Sequence, residues 1–290
     1  MQNNSWIRGK TCLITGANTG IGKETARQLA SLGAHIIMVC RNQEKGEKTR
    51  EEIILSTKND NIELLTCDLA SLKDVKRFSE EFLKNHSSLN VLINNAGVFN
   101  MKKTITSDGY ESTFAVNYLA HFYLTRLLLP LLKENSPSRI VNLSSDIHQY
   151  FKINLKDPLM EKKYNGRQAY SNSKTAIILF THKLARELQE KGVLVNAVSP
   201  GHVKTQMTTA GFPEWVTKIT SFILKTQTPE QGAKTSVYVA SSNDLANITG
   251  KYFIKCKEKK TAKMTQDMRN QNYLWTLSEK LIEDAIRKKN

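Results

Sequence analysis

No run of about 18 uncharged apolar residues, the least that spans a bilayer as a helix, occurs in this 290-residue chain. The richest stretch, Phe122 to Leu132, is short and interrupted by Arg126. The opening segment, Met1-Gln-Asn-Asn-Ser-Trp-Ile-Arg8, lacks the apolar region of a secretory signal. These absences lead to the expectation of a cytoplasmic, soluble protein, with peripheral membrane contact left open. Cysteine is sparse. The four, Cys12, Cys40, Cys67 and Cys256, lie far apart on expected strands, which excludes a secreted disulfide framework and a zinc pattern, and no metal is expected. There is no Pro/Gly/Ser-rich linker, composition break or repeat, so a single domain is expected. Acidic residues are outnumbered 27 to 42, giving a net charge of +15. That balance suits a solvated basic face, an anionic membrane or nucleic acid. Lys251, Lys255, Lys257, Lys259, Lys260 and Lys263 crowd together near the C-terminus. No aromatic–basic interleaving or recognisable nucleic-acid module accompanies them, so a solvated face is favoured and no nucleic-acid partner is expected.

Strand-like apolar runs alternate with helical ones to about residue 256, the pattern of one parallel sheet covered on both faces. Residues 10–15 read as a short buried strand, followed by Gly16-Ala17-Asn18-Thr19-Gly20-Ile21-Gly22 and then by a helix with apolar Ala26, Leu29, Ala30 and Leu32, closed by Gly33. Strand, glycine-rich turn and helix form the first half of a nucleotide-binding βαβ unit. The glycines let the backbone approach a pyrophosphate, and the helix start supplies free N–H groups and the positive end of its dipole. The next strand, His35 to Cys40, runs directly into Arg41, and no Asp or Glu lies between residues 34 and 43. An acid there would hold a ribose 2′-hydroxyl, whereas an arginine accommodates a 2′-phosphate, so NADP is favoured over NAD. Further strands are expected over Ile62–Asp68, Val91–Asn94, Arg139–Ser144, Leu194–Ser199 and Lys251–Cys256, and helices near 43–56, 72–85, 108–133, 169–191 and 229–242. Thr228-Pro229-Glu230-Gln231 is a good start for the last: a Thr cap, Pro at the first position, Gln at the third.

Tyr170 and Lys174 sit four residues apart, one turn apart on one face of a helix. A tyrosine hydroxyl titrates near 10, and a neighbouring ammonium favours its phenolate. Bringing it near neutrality takes about three pH units, or roughly 4 kcal/mol. Such a pair can act as a general acid–base. Small or polar residues close the other strands: Asn94-Asn95-Ala96-Gly97, Ser144-Ser145 and Pro200-Gly201. Ligands of open α/β sheets bind beyond the carboxyl ends of strands. Asn117 lies mid-helix, where asparagine is a poor choice unless it has a hydrogen-bonding task. His148 could be offered as a second base, but a surface loop histidine is the expectation. Phe212, Trp215, Val216, Ile219, Phe222 and Ile223 make one apolar stripe at helical spacing, suited to a substrate lid, to core packing or to a membrane surface.

Thr15-Gly-x-x-x-Gly-Ile-Gly22, Asn94-Asn-Ala-Gly97, Asn117, Ser145, Tyr170-x-x-x-Lys174 and Pro200-Gly201, in this order, closely resemble the short-chain dehydrogenase/reductase family over about residues 8–256. Arg41 in Val-Cys-Arg-Asn, Pro137 to Ser145, Phe180 to Leu188, Gly250 to Cys256 and the long gap between Ser145 and Tyr170 look most like its retinol dehydrogenase branch. The resemblance implies a Rossmann-like domain with a doubly wound, parallel seven-stranded sheet in the order 3-2-1-4-5-6-7. A cofactor half would cover about 8–145, a catalytic and substrate half about 146–263, and a helical tail about 264–290. It implies Tyr170 as the acid/base, with Lys174 lowering its pKa and holding the nicotinamide ribose, Ser145 on the substrate oxygen, Ser144 as its structural neighbour, and Asn117 ordering a water for proton relay. Gly16, Asn18, Thr19, Gly20, Ile21 and Gly22 would wrap the pyrophosphate. Asp68 and Leu69 would flank the adenine, Asn95, Ala96 and Gly97 would line the cofactor, and Pro200, Gly201, Val203 and Thr205 would meet the nicotinamide. The implied reaction interconverts an alcohol with an aldehyde or ketone, retinal-like or lipid-like, using NADP(H). The alternatives are a non-catalytic NADP(H)-binding regulator and a porphyrin-type reductase of the same fold. A homo-oligomer is left open.

Overall fold

The computed structural model describes residues 5–201, 203 and 227–287. One sheet organises them, with strands in the order β3-β2-β1-β4-β5-β6-β7-β8. The strands are β1 Thr11–Thr15, β2 His35–Cys40, β3 Ile62–Thr66, β4 Val91–Asn94, β5 Ser138–Leu143, β6 Val193–Ser199, β7 Tyr252–Ile254 and β8 Lys257–Lys259. The first seven pair in parallel, and β8 returns antiparallel on β7. The expected order is met and the expected count of seven is exceeded by one. Lys255 and Cys256 both have positive φ, 49° and 58°. They form the two-residue turn whose twist suits a hairpin, one that Asn-Gly normally signals. Here Lys-Cys does it, so the strand expected to run to Cys256 stops at Ile254 and the chain doubles back. Three charged residues, Lys257-Glu-Lys259, then guard the sheet edge against further pairing. Of the cysteines, only Cys12 and Cys40 lie within strands; Cys67 follows β3 and Cys256 sits in the hairpin turn, and all four are free.

The central strands are buried on both sides, which is why β1, β2 and β4 read as unbroken apolar runs rather than alternating ones. Cys12, Ile14, Ile36, Met38, Val91 and Ile93 face one side, where helices α1 (Gly20–Ser31) and α7 (Pro229–Ser241) cover them. Leu13, Ile37, Leu92, Ile140 and Val195 face the other, beneath α3 (Leu72–Asn85), α5 (Ala120–Glu134), α6 (Gly166–Glu187) and α9 (Met268–Arg287). The caps are local chemistry. Asn42 accepts from Lys45 N at the start of α2 (Gln43–Thr57), Ser71 accepts from Asp74 N at α3, and Thr228 with Gln231 forms a full capping box at α7. Gly33, at φ +83°, ends α1 in the left-handed region.

The helix expected from residue 108 begins later. Thr106–Tyr110 closes a turn around Gly109, and the Glu111 carboxylate then caps Thr113 N and Phe114 N at 2.8 Å each. The short α4 (Ser112–Phe114) passes through a π turn, Ala115–Leu119, into α5. The helix expected from 169 starts at Gly166, capped by Asn165, and ends at Glu187.

The helical tail is built as α8 (Lys263–Gln266) and α9. On α9, Trp275 meets the Phe122 ring edge-on at 4.9 Å, Ser278 hydrogen-bonds the Tyr118 hydroxyl at 2.7 Å, and Glu279 pairs with Arg126. Tyr110 donates to the Leu281 carbonyl at 2.7 Å. Among the described residues, no helix is long and apolar enough to cross a membrane. Because Leu274 is buried in the main core, Leu274→Ala should destabilise the protein by about 2–5 kcal/mol, the usual range for emptying a packed site. Urea unfolding measures this as a lower midpoint at unchanged slope; an unchanged midpoint would mean that α9 is not docked.

Candidate active site

Three strand ends meet where the glycine turn leaves β1. Gly16 has φ +67°, and its N–H donates to the Val39 carbonyl at 2.7 Å. A Cβ there would lie 2.9 Å from the Ala96 Cα, and one on Gly22 would lie 2.2 Å from the Gly16 carbonyl oxygen and 2.5 Å from Asn95 Nδ2. Gly20, at φ +54°, opens α1 after the extended Thr19, whose side chain makes no capping bond. Only glycine lets turn, helix and β4 close to these distances. The result is a cradle of backbone amides at a helix start, the kind of surface that holds a pyrophosphate.

Asn95 and Thr15 lock the cradle to β4. Asn95 Nδ2 donates to the Thr15 carbonyl at 2.7 Å, and the Asn95 and Ala96 amides donate to Thr15 Oγ1 at 2.9 and 3.0 Å. Asn94 ties β4 to β5 and to α5: its amide donates to Asn142 Oδ1 at 2.8 Å and to Thr125 Oγ1 at 2.9 Å. Arg41 stands exposed one residue past β2, whose Val39 anchors the turn. Asp68 Oδ1 accepts from Ala70 N at 3.0 Å, and Leu69 beside it is buried. Asn18 is held through its carbonyl by Thr49 Oγ1 at 3.0 Å.

The expected catalytic residues come together beyond β4 and β5. Tyr170 and Lys174 share one face of α6, with the Lys174 Nζ 5.5 Å from the Tyr170 ring centre. Ser145 lies beside Tyr170, where its hydroxyl favours the phenolate; that hydroxyl donates to Asp146 Oδ1 at 3.3 Å and accepts from Ile147 N at 3.4 Å. Ser144 instead donates to the Lys174 carbonyl at 2.8 Å, so the two serines divide between site and scaffold. Lys174 Nζ donates to the Leu143 carbonyl at 2.8 Å. Asn117 lies in the π turn. Its side chain accepts from Val98 N at 2.7 Å and donates to Val98 O and Ser173 Oγ at 3.0 and 3.1 Å. That is the hydrogen-bonding task its mid-helix position suggested; π turns recur at functional sites.

At the far rim, Gly201 (φ +76°) donates to Ser199 Oγ at 3.2 Å, following Pro200. Val203 pairs with Gln227 across a parallel bridge and packs against Gly232 beside Ile21. Thr205 and the apolar stripe Phe212–Ile223 lie outside the described residues.

The match to known proteins fits this geometry. The family profile for short chain dehydrogenase covers residues 10–214. The chain belongs to the short-chain dehydrogenase family. It is 42% identical to mouse retinol dehydrogenase 12 over 280 residues, 96% of this chain and 88% of that one. It is 44% identical to human retinol dehydrogenase 11 over 251 residues, 86% of this chain and 78% of that one. A solved structure from Mycobacterium paratuberculosis superposes with a TM-score of 0.76 at 30% identity, covering 98% of each chain. Another, from Beutenbergia cavernae, described as a putative NAD(P) dependent gluconate 5-dehydrogenase with bound NADP, gives 0.72 at 25% identity over 87% of this chain and 97% of that one. This places the chain in the retinol dehydrogenase branch, among oxidoreductases that interconvert alcohols and carbonyls with a nicotinamide cofactor.

In this short-chain dehydrogenase, burial governs the electrostatics of the pair. Tyr170 is pushed up to about 12, first by burial, then by the nearby Asp146 charge, against the lowering bond from Ser145. Lys174 is pushed down to about 7 by burial. The sequence led us to expect the lysine to lower the tyrosine. In the chain by itself both charged forms lose water, and that cost dominates both shifts.

Two histidines were not foreseen. His148, expected on the surface, is buried, its Nδ1 2.6 Å from the Ser145 carbonyl, and burial holds it below the usual histidine range. Its position three residues past Ser145 was the available signal. His121, also buried, stands one helical step, i+4, from Asn117, a spacing visible in the sequence.

The Lys174 shift carries a sign. Its folded value lies below the unfolded one, so between pH 7 and 10.5 the unfolded state binds the extra proton and stability rises with pH. One proton is worth about 1.4 kcal/mol per pH unit. The stability gained by Lys174→Met over wild type should therefore shrink by at most about 1.4 kcal/mol per pH unit from pH 7.5 to 9.5. Denaturant melts of the cofactor-free protein test this; parallel pH curves would show that Lys174 is charged throughout.

Proposed function

We propose that this chain is an NADP(H)-dependent oxidoreductase that interconverts a hydrophobic alcohol with its aldehyde or ketone, with Tyr170 as the acid/base. The observation that carries the reading is the meeting of Ser145, Tyr170 and Lys174 beyond β5, at the same carboxyl end of the sheet as the glycine cradle of β1. NADP(H) supplies or accepts the hydride. The protein does the rest. The Ser145 hydroxyl donates to the substrate oxygen and orients it. In reduction the Tyr170 O–H gives its proton to that oxygen; in oxidation the phenolate takes it back. The protonated phenol, favoured by burial, is the form that reduction needs. Oxidation needs the phenolate, and Lys174 favours it only as the ammonium. Lys174 also holds the nicotinamide ribose, and Asn117 orders a water that links Lys174 to solvent for proton relay. Residues 8–145 act as the cofactor half and 146–263 as the catalytic and substrate half.

Gly16, Asn18, Thr19, Gly20, Ile21 and Gly22 hold the pyrophosphate, Asp68 and Leu69 the adenine, and Asn95, Ala96, Gly97, Pro200, Gly201 and Val203 the remaining length. Arg41 meets the 2′-phosphate, supported by its exposure next to the turn and by the absence of an acid from residues 34 to 43. A structural relative from Escherichia coli complexed with NADPH, at 25% identity and TM-score 0.69, with 88% of this chain and 100% of that one covered, is consistent with this choice. The relatives named retinol dehydrogenases support a retinoid-like substrate. A panel of aldehydes, ketones and alcohols that includes retinal, followed by NADPH absorbance, identifies it.

Tyr170→Phe keeps the ring and removes the proton. Turnover should fall by at least about 10²-fold, the lower end for acid–base catalysis, while NADPH still binds; equal turnover would sink the assignment. For Arg41→Ala, a charge-assisted contact worth about 1.5–3 kcal/mol implies a loss of roughly ten- to hundred-fold in preference for NADPH over NADH. The ratio of kcat/KM for the two cofactors measures it, and an unmoved ratio would leave Arg41 a surface residue.

A further inference from the structure

His121 occupies the space between two parts of the site that the proposed reaction uses separately. It is 3% exposed, and Thr15 and Asn117 on either side of it are fully buried. Its Nδ1 lies 3.0 Å from the Asn117 carbonyl oxygen, and its Nε2 lies 2.8 Å from Thr15 Oγ1. The proton positions follow from chemistry. A carbonyl only accepts, so Nδ1 carries the hydrogen. In a neutral ring Nε2 is then the acceptor, and the Thr15 hydroxyl donates to it. This leaves both lone pairs of Thr15 Oγ1 for the amides of Asn95 and Ala96, at 2.9 and 3.0 Å. All the capacity of the hydroxyl is used and every partner is satisfied.

A charged ring would spoil this. With both nitrogens donating, Thr15 would face three donors with two lone pairs, and its own hydrogen could turn only to the Ile93 carbonyl at 3.5 Å. Burial disfavours that form in any case and pushes His121 down to about 4, with the Asn117 carbonyl opposing the shift and the Lys174 charge reinforcing it.

We propose that His121, as the neutral Nδ1–H tautomer, is a positioning residue that joins the Asn117 carbonyl to Thr15 at the root of the glycine turn, holding the proton-relay end and the phosphate-binding end of the site at one fixed spacing. The proposal rests on the oxidoreductase reading for the roles of those two ends, but the contacts exist without it. The π turn makes such a brace necessary. It departs from regular helix geometry, reaching back five residues where Ala120 N–H bonds the Ala115 carbonyl, so Asn117 is not placed by the α-helical ladder alone. An imidazole presents a donor and an acceptor on a rigid plane. Leucine or phenylalanine would fill the volume and present neither.

Two measurements test this, neither of them turnover. Nitrogen-15 NMR of histidine-labelled, cofactor-free protein should show His121 as the neutral Nδ1–H tautomer from pH 5 to 8. An Nε2–H tautomer, or titration near 6.5, overturns the proposal. Second, the NADPH Kd is measured by fluorescence for His121→Phe, Thr15→Val and the double variant. His121→Phe should weaken binding about tenfold and Thr15→Val by more, because it also strips the acceptor from the Asn95 and Ala96 amides, while the double should be no worse than Thr15→Val alone, because the His121 connection is already cut there. Additive losses overturn it. His121→Gln, which offers an amide donor and acceptor, should recover most of the affinity; a purely space-filling role would instead be met by Phe and not by Gln. If His121→Phe fails to fold, the wild-type tautomer and the Gln variant decide. A failure of Tyr170→Phe to lose turnover would leave all of these outcomes intact, so the two readings fall separately.

Discussion

The approach of the glycine turn to the end of β4 is the constraint from which the rest of the site follows. Gly16 and Gly22 have no room for a Cβ against Ala96, Asn95 and each other. That closeness brings the Thr15 hydroxyl within reach of two β4 amides and puts the Asn95 side chain on the Thr15 carbonyl. With β1 and β4 tied at this point, the strand ends form a shelf, and α1 starts from it with its amide end facing outward. The sheet order places β5 and Ser145 immediately beside that shelf, and α6 lays Tyr170 and Lys174 across it. One close backbone contact thus sets both the cradle and its distance from the reacting side chains.

Burial is the second organising force. The enclosure that positions Tyr170, Lys174 and His121 also works against charge on each of them. A group held this way responds strongly to whatever charge arrives next to it, because little water is present to screen the interaction. The pair is poised by its surroundings, and its protonation depends on what shares the site with it.

Much of this was readable from the residues, and the parts that were not have physical reasons. The glycine turn, Asn94, Ser145, Tyr170 and Lys174 announce themselves because their roles depend on local spacing or on backbone that only glycine permits. The parallel strands were legible because burial on both faces leaves apolar runs. The hairpin after Ile254 was not, because its turn is made by Lys255 and Cys256 in conformations that Asn or Gly would normally advertise. The π turn at Asn117 leaves no compositional mark. The spacing of His148 from Ser145 and of His121 from Asn117 is visible in sequence, but only the packing shows the two rings enclosed and bonded to Ser145, Asn117 and Thr15. The rise at Tyr170, where a lowering was expected, and the fall at Lys174 were not legible, because spacing reports proximity but not the loss of water.

The aromatic face of α5 and α6 has a history during synthesis. Tyr118, Phe122 and Phe180 form a connected cluster of rings that Trp275 completes. A ribosome makes chains from the N-terminus, and domains fold as their residues emerge. The sheet strands through β6 are made well before the 20 residues of α9. Until α9 is made, the aromatic cluster on these helices lacks the Trp275 and Leu274 that cover it in the folded chain.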